Sequence, residues 1–243
     1  LYQLPLGVVG IAVGVVLLPD LSRRLRAGDT AGGRNAFNRA AEISLALTIP
    51  AAVALCVIPI QLVSVLFERG AFGADDTKAT ALAVAVYGLG LPSFVLQKAL
   101  QPLFFAREDT RRPFYFALAS LAVNAVIAVG LMPYLGFIAA AIGTTMSGWA
   151  SVALLWVASR RMGVAATTDR RFRARVWRIL LASALMGALL WVAAQALGPF
   201  LDLPTLRYGA LAVLVGTGLA GYFGIGQIVG AFQLSDIRAA LRR

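Results

Sequence analysis

The chain has 243 residues, of which 60% are hydrophobic and 14% are charged, and its mean hydropathy is +0.81. A soluble domain has about 45–50% apolar and about 25% charged residues, so these values exclude an ordinary soluble globular protein. The net charge is +11, and histidine, the commonest metal ligand and general base, is absent.

Seven apolar segments follow one another along the chain, each close to the ~20 residues that cross a hydrocarbon layer about 30 Å thick. Backbone amides that face lipid must pair within their own segment, so each segment is predicted to be a helix. They are Leu1–Leu18, Ala41–Leu66, Ala81–Phe105, Phe114–Met132, Gly136–Ser159, Ile179–Leu201 and Tyr208–Phe232. The sequence therefore predicts an all-α polytopic membrane protein with about seven transmembrane helices.

The first segment begins at Leu1, without the charged region and cleavage site of a secretory signal. We therefore expect the sequence to be the carboxy-terminal part of a longer protein whose N-terminal half is a partner of this one. Within the segment, Gly7, Gly10 and Gly14 share one helical face that a neighbouring helix could approach closely. Pro5 weakens the helix near its outer end. These four residues are predicted to serve helix packing or a hinge.

Lys98 lies well inside the third segment, about 13 Å along the helix from Arg107 at a rise of ~1.5 Å per residue. An ammonium at the centre of a bilayer costs at least ~2.5 kcal/mol, so it needs water or a partner. Two interpretations stay open: the side chain reaches the cytoplasmic head groups, or it faces a hydrated cavity and meets an anion. No carboxylate of this chain stands at matching depth, so in the second case the partner is the substrate or the N-terminal half.

Three further polar residues within the segments are candidates for a transport path. Tyr2 and Gln3 stand beside Pro5 at the start of the first segment, and Asn124 lies in the fourth. Each could instead form a hydrogen bond to a neighbouring helix, which is worth about 1 kcal/mol or less.

Basic residues are distributed unequally between the connections. Of the 22 Lys and Arg residues, 18 fall in alternate connections and the C-terminal tail, and three fall in the others. Such an excess marks the cytoplasmic side, so it predicts a cytoplasmic C terminus and attraction to membrane lipids, and it does not indicate nucleic-acid binding. The 18 residues are Arg23, Arg24, Arg26, Arg34, Arg39, Arg107, Arg111, Arg112, Arg160, Arg161, Arg170, Arg171, Arg173, Arg175, Arg178, Arg238, Arg242 and Arg243.

The longest and most charged connection divides the chain. Residues 1–159 are predicted to hold five transmembrane helices, residues 160–178 a basic cytoplasmic loop, and residues 179–243 two additional helices with a short basic tail. A plain linker between the two parts is the alternative interpretation of the loop.

Enzyme signatures are mostly absent. Nearly all of the eleven carboxylates lie in connections or at helix ends, and the adjacent pair Asp75 and Asp76 is of a kind more often solvated than catalytic. Without histidine, a Ser-His-Asp arrangement and a His-based metal site are excluded. The sequence therefore predicts no catalytic residue, metal or cofactor.

Four stretches resemble, in order and spacing, the MurJ (MviN) family of lipid II flippases. Leu1–Ala12 and Leu18–Arg23 look like the family's eighth helix, and Phe67–Phe72 and Phe105–Pro113 match the ends of later helices. From about Arg160 onward the similarity is one of hydropathy and length.

The resemblance implies a fourteen-helix protein of the MOP exporter superfamily in the bacterial inner membrane. This chain would supply helices eight to fourteen: one lobe, plus two additional helices that border a lipid-tail groove. The implied substrate is an undecaprenyl-pyrophosphate-linked glycopeptide, flipped to the outer leaflet by alternating access. Lys98 matches a lysine that recurs in the family's tenth helix, whereas some members carry an acid at Gln3, so no ion-pair role transfers to that residue. Because no ATP-binding motif is present, the driving force would be an ion gradient, the membrane potential or consumption of the product.

Three other functions stay open. A related exporter would carry another lipid-linked glycan or drugs, and intramembrane arginines upstream of Leu1 would argue against it. A membrane-embedded glycan polymerase or acyltransferase would need a catalytic acid or His at the membrane boundary, and none stands out. A purely structural subunit is disfavoured by Lys98 and by the prolines that interrupt the second and third segments.

Overall fold

Helices account for nearly all regular structure in the computed structural model, which describes residues 1–12, 17–201, 203 and 205–231. Within these ranges the chain forms nine α-helices and two single-turn 3₁₀ helices, at residues 160–162 and 164–166, and no strand. The α-helices are α1 Gln3–Ala12, α2 Leu18–Arg26, α3 Thr30–Val57, α4 Pro59–Phe67, α5 Ala74–Phe105, α6 Arg111–Leu135, α7 Ile138–Ser159, α8 Arg170–Leu201 and α9 Arg207–Val229.

Six helical stretches are long and apolar enough to cross a membrane: α3, α5, α6, α7 with the turn that follows it, α8 and α9. They confirm the prediction of an all-α polytopic membrane protein. The first predicted segment is helical over α1, and residues 13–16, which include Gly14, lie outside the described ranges.

The second predicted segment is broken in the structure. α3 ends at Val57 and α4 begins at Pro59, whose ring nitrogen has no hydrogen to continue the backbone ladder. Between them Ile58 leaves the helical region, with φ −122° and ψ 39°. At its other end α3 begins at Thr30, well before Ala41, because the side chain of Asp29 accepts a hydrogen bond of 2.8 Å from the backbone N–H of Gly32.

α2 joins the first segment to α3 and is amphipathic. Leu21 is fully buried, while the Asp20 carboxylate faces outward and pairs with Arg23 at 2.6 Å and with Arg24 at 2.8 Å. The hydrogen bond from Arg24, aided by Arg23 and opposed by partial burial, lowers the pKa of Asp20 below its ordinary value. The acid therefore stays ionised and holds the turn that reverses the chain.

The helices pack around α3 and α5, which lie side by side. α7 covers another face of α5, α8 packs along α3, and α9 packs on α8. The main cluster of buried side chains includes Phe37, Leu100 and Phe104. A second cluster joins α8 and α9 to α4 and the end of α3. Interiors of this kind are stabilised in lipid chiefly by close packing, because exposed leucines lose little by facing acyl chains.

α6 has one main neighbour. It packs along α7, and none of the 18 residues in its most apolar stretch is buried. Large side chains such as Leu121, Val126 and Val129 are 65%, 72% and 71% exposed. This exposure fits a helix whose outer surface meets lipid.

Two contacts hold the basic stretch after α7 against α3. The side-chain amide of Asn38, 2% exposed, donates a hydrogen bond of 3.0 Å to the carbonyl of Thr167. The guanidinium of Arg175 lies 3.1 Å from the carboxylate of Glu42. α8 begins at Arg170, so the second half of the stretch predicted as a loop is helical.

At Gly143 the backbone of α6 lies close to α7, and we expect Gly143→Val to destabilise the protein by about 1–3 kcal/mol, as overpacking does. A Cβ there would lie 3.0 Å from the carbonyl oxygen of Asn124 and 3.2 Å from the backbone nitrogen of Ala128, neither of which can move without shifting α6. The midpoint of thermal unfolding in detergent measures the effect.

Gly130 is the matched control in the same pair of helices. A Cβ there would meet no atom within 4 Å, so Gly130→Ala should leave the midpoint unchanged or raise it, since Ala favours a helix by about 1 kcal/mol over Gly. Equal losses in the two variants would show that the contact at Gly143 does not limit packing.

Candidate functional site

One face of α5 carries a row of polar and aromatic side chains. Tyr87, Phe94, Lys98 and Gln101 follow one another at spacings of seven, four and three residues, which places them on the same side of the helix. The neighbouring faces are occupied: a Cβ on Gly88 would lie 3.0 Å from Leu55 of α3, and other residues of α5 meet α7. We call Tyr87, Phe94, Lys98 and Gln101 the open face of α5.

Tyr2 closes one end of this open face. Its ring stacks on that of Tyr87 with centroids 4.8 Å apart and an interplanar angle of 13°, and it lies 6.2 Å from Phe94. Gln3 beside it is exposed. The structure therefore brings Tyr2 and Lys98, which are distant in sequence, to the same side of α5.

Lys98 is exposed and stands one helical turn beyond Phe94. In the described part of the chain no carboxylate pairs with its ammonium group. Its neighbour Gln97 donates a hydrogen bond of 3.3 Å to the carbonyl of Gly148 in α7, so Gln97 serves packing. Lys98 thus presents an exposed positive charge within a row whose other members, Tyr87, Phe94 and Gln101, are half-buried.

Tyr87 and Phe94 were not predicted from the sequence as residues of the site. Both looked like ordinary apolar residues of a transmembrane helix. Their spacing relative to Lys98 was the available signal, because residues four and eleven apart fall on one helical face.

Asn124 lies in a different contact. Its side-chain amide donates a hydrogen bond of 3.2 Å to the hydroxyl of Thr144, which joins α6 to α7. This is the interhelical bond that the sequence left open as the alternative to a place in the transport path.

The residues predicted for packing or a hinge are spread over α1. Pro5 lies in its first turn, where the missing N–H costs nothing, so the helix continues through it. A Cβ on Gly7 would meet no atom within 4 Å, so none of the described helices packs on that glycine. Gly10 lies within α1, and Gly14 lies outside the described residues.

An apolar groove of about 270 Å³ lies on the other side of α1. Leu1 and Pro5 form one wall, α3 and α4 supply residues such as Leu47, Pro50 and Leu62, and α8 and α9 supply residues such as Leu190 and Tyr222. The Tyr222 hydroxyl donates a hydrogen bond of 2.6 Å to the carbonyl of Ala46, which holds α9 against α3. We call this cavity the apolar groove.

α1 therefore separates two different environments. Leu1 and Pro5 face the apolar groove, whereas Tyr2 stacks on the open face of α5. Within the described ranges no three metal-ligating side chains of the His, Cys, Asp and Glu types come together.

Residues 1–203 match a family model described as "Lipid II flippase MurJ". Over its whole length the chain is 39% identical to a protein of Rhizobium tropici and 43% identical to one of Rhizobium meliloti (strain 1021), both named "Probable lipid II flippase MurJ". A protein of the same name from Vibrio cholerae is 32% identical over 99% of the chain. In each comparison the chain covers 46% of the relative, so it spans about half the length of these curated relatives.

Proposed function

Because this chain belongs to the MurJ family of lipid II flippases, we propose that it forms one lobe of a flippase that turns lipid II from the cytoplasmic to the outer leaflet of the bacterial inner membrane. The proposed substrate is an undecaprenyl-pyrophosphate carrying a glycopeptide. A second lobe of the same protein would supply the rest of the substrate path, in agreement with relatives about twice as long. The chain then acts as a transporter that moves its substrate unchanged.

The observation that carries the proposal is the position of Lys98 on the open face of α5. A pyrophosphate that leaves water for a site of low dielectric constant needs fixed positive charge, because its Coulomb interactions strengthen as solvent is removed. Lys98 offers such a charge where no described carboxylate neutralises it, and Tyr2 and Tyr87 close one end of the same surface.

The apolar groove supports the same proposal. Its walls come from α1, α3, α4, α8 and α9, and its lining is almost entirely apolar. A polyprenyl tail can remain in the groove or in the adjoining lipid while only the head group crosses, so the tail need not enter water.

We further propose that the C terminus and the connections rich in arginine face the cytoplasm. The 18 basic residues of alternate connections support this orientation. It places Lys98 nearer the inner end of α5, where a substrate made in the cytoplasm would arrive.

Rescue of a bacterium depleted of its own lipid II flippase tests the proposed function. Cells that express the complete protein containing this chain should grow, and their lipid II should become accessible to an enzyme that cleaves it from outside. A protein that inserts into the membrane at normal levels and leaves lipid II inaccessible would contradict the proposal. That outcome would favour an exporter of another lipid-linked glycan.

A further inference from the structure

A lipid-facing cleft opens between α6 and α7 at the arginine-rich end of the helices. It has a volume of about 500 Å³, within the range of about 300–1,000 Å³ typical of ligand sites. Its lining residues are Arg112, Phe116, Ala153, Leu154, Val157, Ala158 and Arg161. The lining therefore has an apolar wall with a basic residue on each helix at its rim.

The cleft lies at one end of the pair formed by α6 and α7. Towards their other ends α6 and α7 are in close contact at Gly143. Near the arginine-rich end the packing changes: Phe116 turns towards α5, where its ring meets that of Phe104 edge-on at 6.2 Å. Val157 remains 61% exposed on the opposite wall. An apolar surface that neither helix covers is thus available to lipid.

Arg112 pairs with a carboxylate, and the turn that carries Arg161 is anchored by a hydrogen bond to its backbone. Arg112 contacts the Asp109 carboxylate through Nε at 3.4 Å, which leaves its terminal amino groups to a ligand. Arg161 lies in the 3₁₀ turn after α7, and Arg107 fixes this turn by donating hydrogen bonds to the carbonyls of Met162, at 3.0 Å, and Leu103, at 2.8 Å. Burial lowers the pKa of Arg107, as expected for a guanidinium that is partly enclosed by the protein and bonded to its backbone.

We propose that this cleft binds an anionic phospholipid such as phosphatidylglycerol, with its phosphate between Arg112 and Arg161 and one acyl chain along Leu154 and Val157. The charges argue for this occupant: two guanidinium groups line the cleft, and among the described residues that line it there is no carboxylate, the nearest recorded ion pair being that of Arg112 with Asp109. Guanidinium groups bind phosphate oxygens in pairs of hydrogen bonds. The inference requires that the chain spans a membrane, and it does not depend on which substrate the protein moves.

Native mass spectrometry of the complete protein in mild detergent tests the site, with phosphatidylglycerol and phosphatidylcholine of identical acyl chains as probes. The double variant Arg112→Gln/Arg161→Gln should lose about 10-fold or more in affinity for phosphatidylglycerol, as expected when charge-assisted hydrogen bonds are removed. Affinity for phosphatidylcholine should change little.

The matched control is Arg111→Gln/Arg160→Gln, which removes the same charge from residues that stand next to the rim and do not line the cleft. It should weaken phosphatidylglycerol binding far less than the rim variant does. Equal losses in the two double variants would overturn the proposal, because they would show a diffuse attraction to basic surface.

Val157→Trp is an independent test of the site that leaves every arginine in place. The larger ring should fill the apolar wall and reduce phosphatidylglycerol binding, while the thermal midpoint stays close to that of the parent because Val157 is exposed. Unchanged lipid binding in this variant would also overturn the proposal, including when the rim variant fails to fold.

Discussion

Replacing Lys98 by alanine is expected to reduce flipping of lipid II by about 10-fold or more, since a hydrogen bond to a charged group contributes about 1.5–3 kcal/mol. Lys98 carries an exposed positive charge on the open face of α5, and alanine would leave the pyrophosphate without that cation. The Lys98→Arg variant should be milder, because it keeps the charge and changes the geometry of the donors. The effect is measured as the growth of flippase-depleted cells that express the parent protein, Lys98→Ala or Lys98→Arg at native levels.

Lys78→Ala is the matched control for this experiment. Lys78 lies in the first turn of the same helix, is 72% exposed and contacts Asp75 at 3.5 Å. Exposed pairs contribute about 0–1 kcal/mol, so this variant should support normal growth. If the Lys98→Ala protein also supports normal growth, the ammonium group reaches the head groups and does not bind the substrate.

Replacing Arg175 by alanine is expected to destabilise the protein by about 3 kcal/mol, the lower end of the range for breaking a buried ion pair. The Glu42 side chain is 6% exposed and lies 3.1 Å from Arg175, which is 19% exposed. Without this guanidinium, the buried Glu42 carboxylate loses its ion-pair partner in α8. The thermal midpoint in detergent should fall clearly, and α8 should detach more readily from α3.

A double variant separates the cost of an unpaired carboxylate from the value of the pair. Glu42→Leu/Arg175→Leu should recover much of the lost stability, because buried ion pairs can often be replaced by apolar residues of similar volume. Arg26→Ala is the control: Arg26 and Glu108 are 77% and 86% exposed at 3.9 Å, and the expected loss is below about 0.5 kcal/mol. If removing Arg175 also costs less than about 0.5 kcal/mol, the contact with Glu42 does not hold α8 against α3.

Much of the fold could be predicted because lipid restricts a chain to helices of a minimum length. The apolar segments therefore indicated the spanning helices, and the family resemblance, carried by stretches such as Phe105–Pro113, is confirmed by the comparisons. Helix ends were less predictable. α3 begins at Thr30 because of the cap at Asp29, and it ends before Pro59, and neither effect changes mean hydropathy.

The candidate site could be predicted only in part. Lys98 stood out because a charge within an apolar segment is costly, and Tyr2 attracted attention beside Pro5. Their relation depends on how α1 lies against α5, which is a matter of tertiary packing. The apolar groove depends in the same way on the contact of Tyr222 with Ala46, between residues far apart in sequence.

The one-sided packing of α6 has a consequence for probing the protein. Side chains such as Val126 and Val129 are largely exposed on α6, so exchanges among apolar residues there should leave the packing of the described helices intact. A fluorescent group introduced at either position would therefore report the depth, viscosity and thickness of the surrounding membrane without disturbing the packing of the other helices.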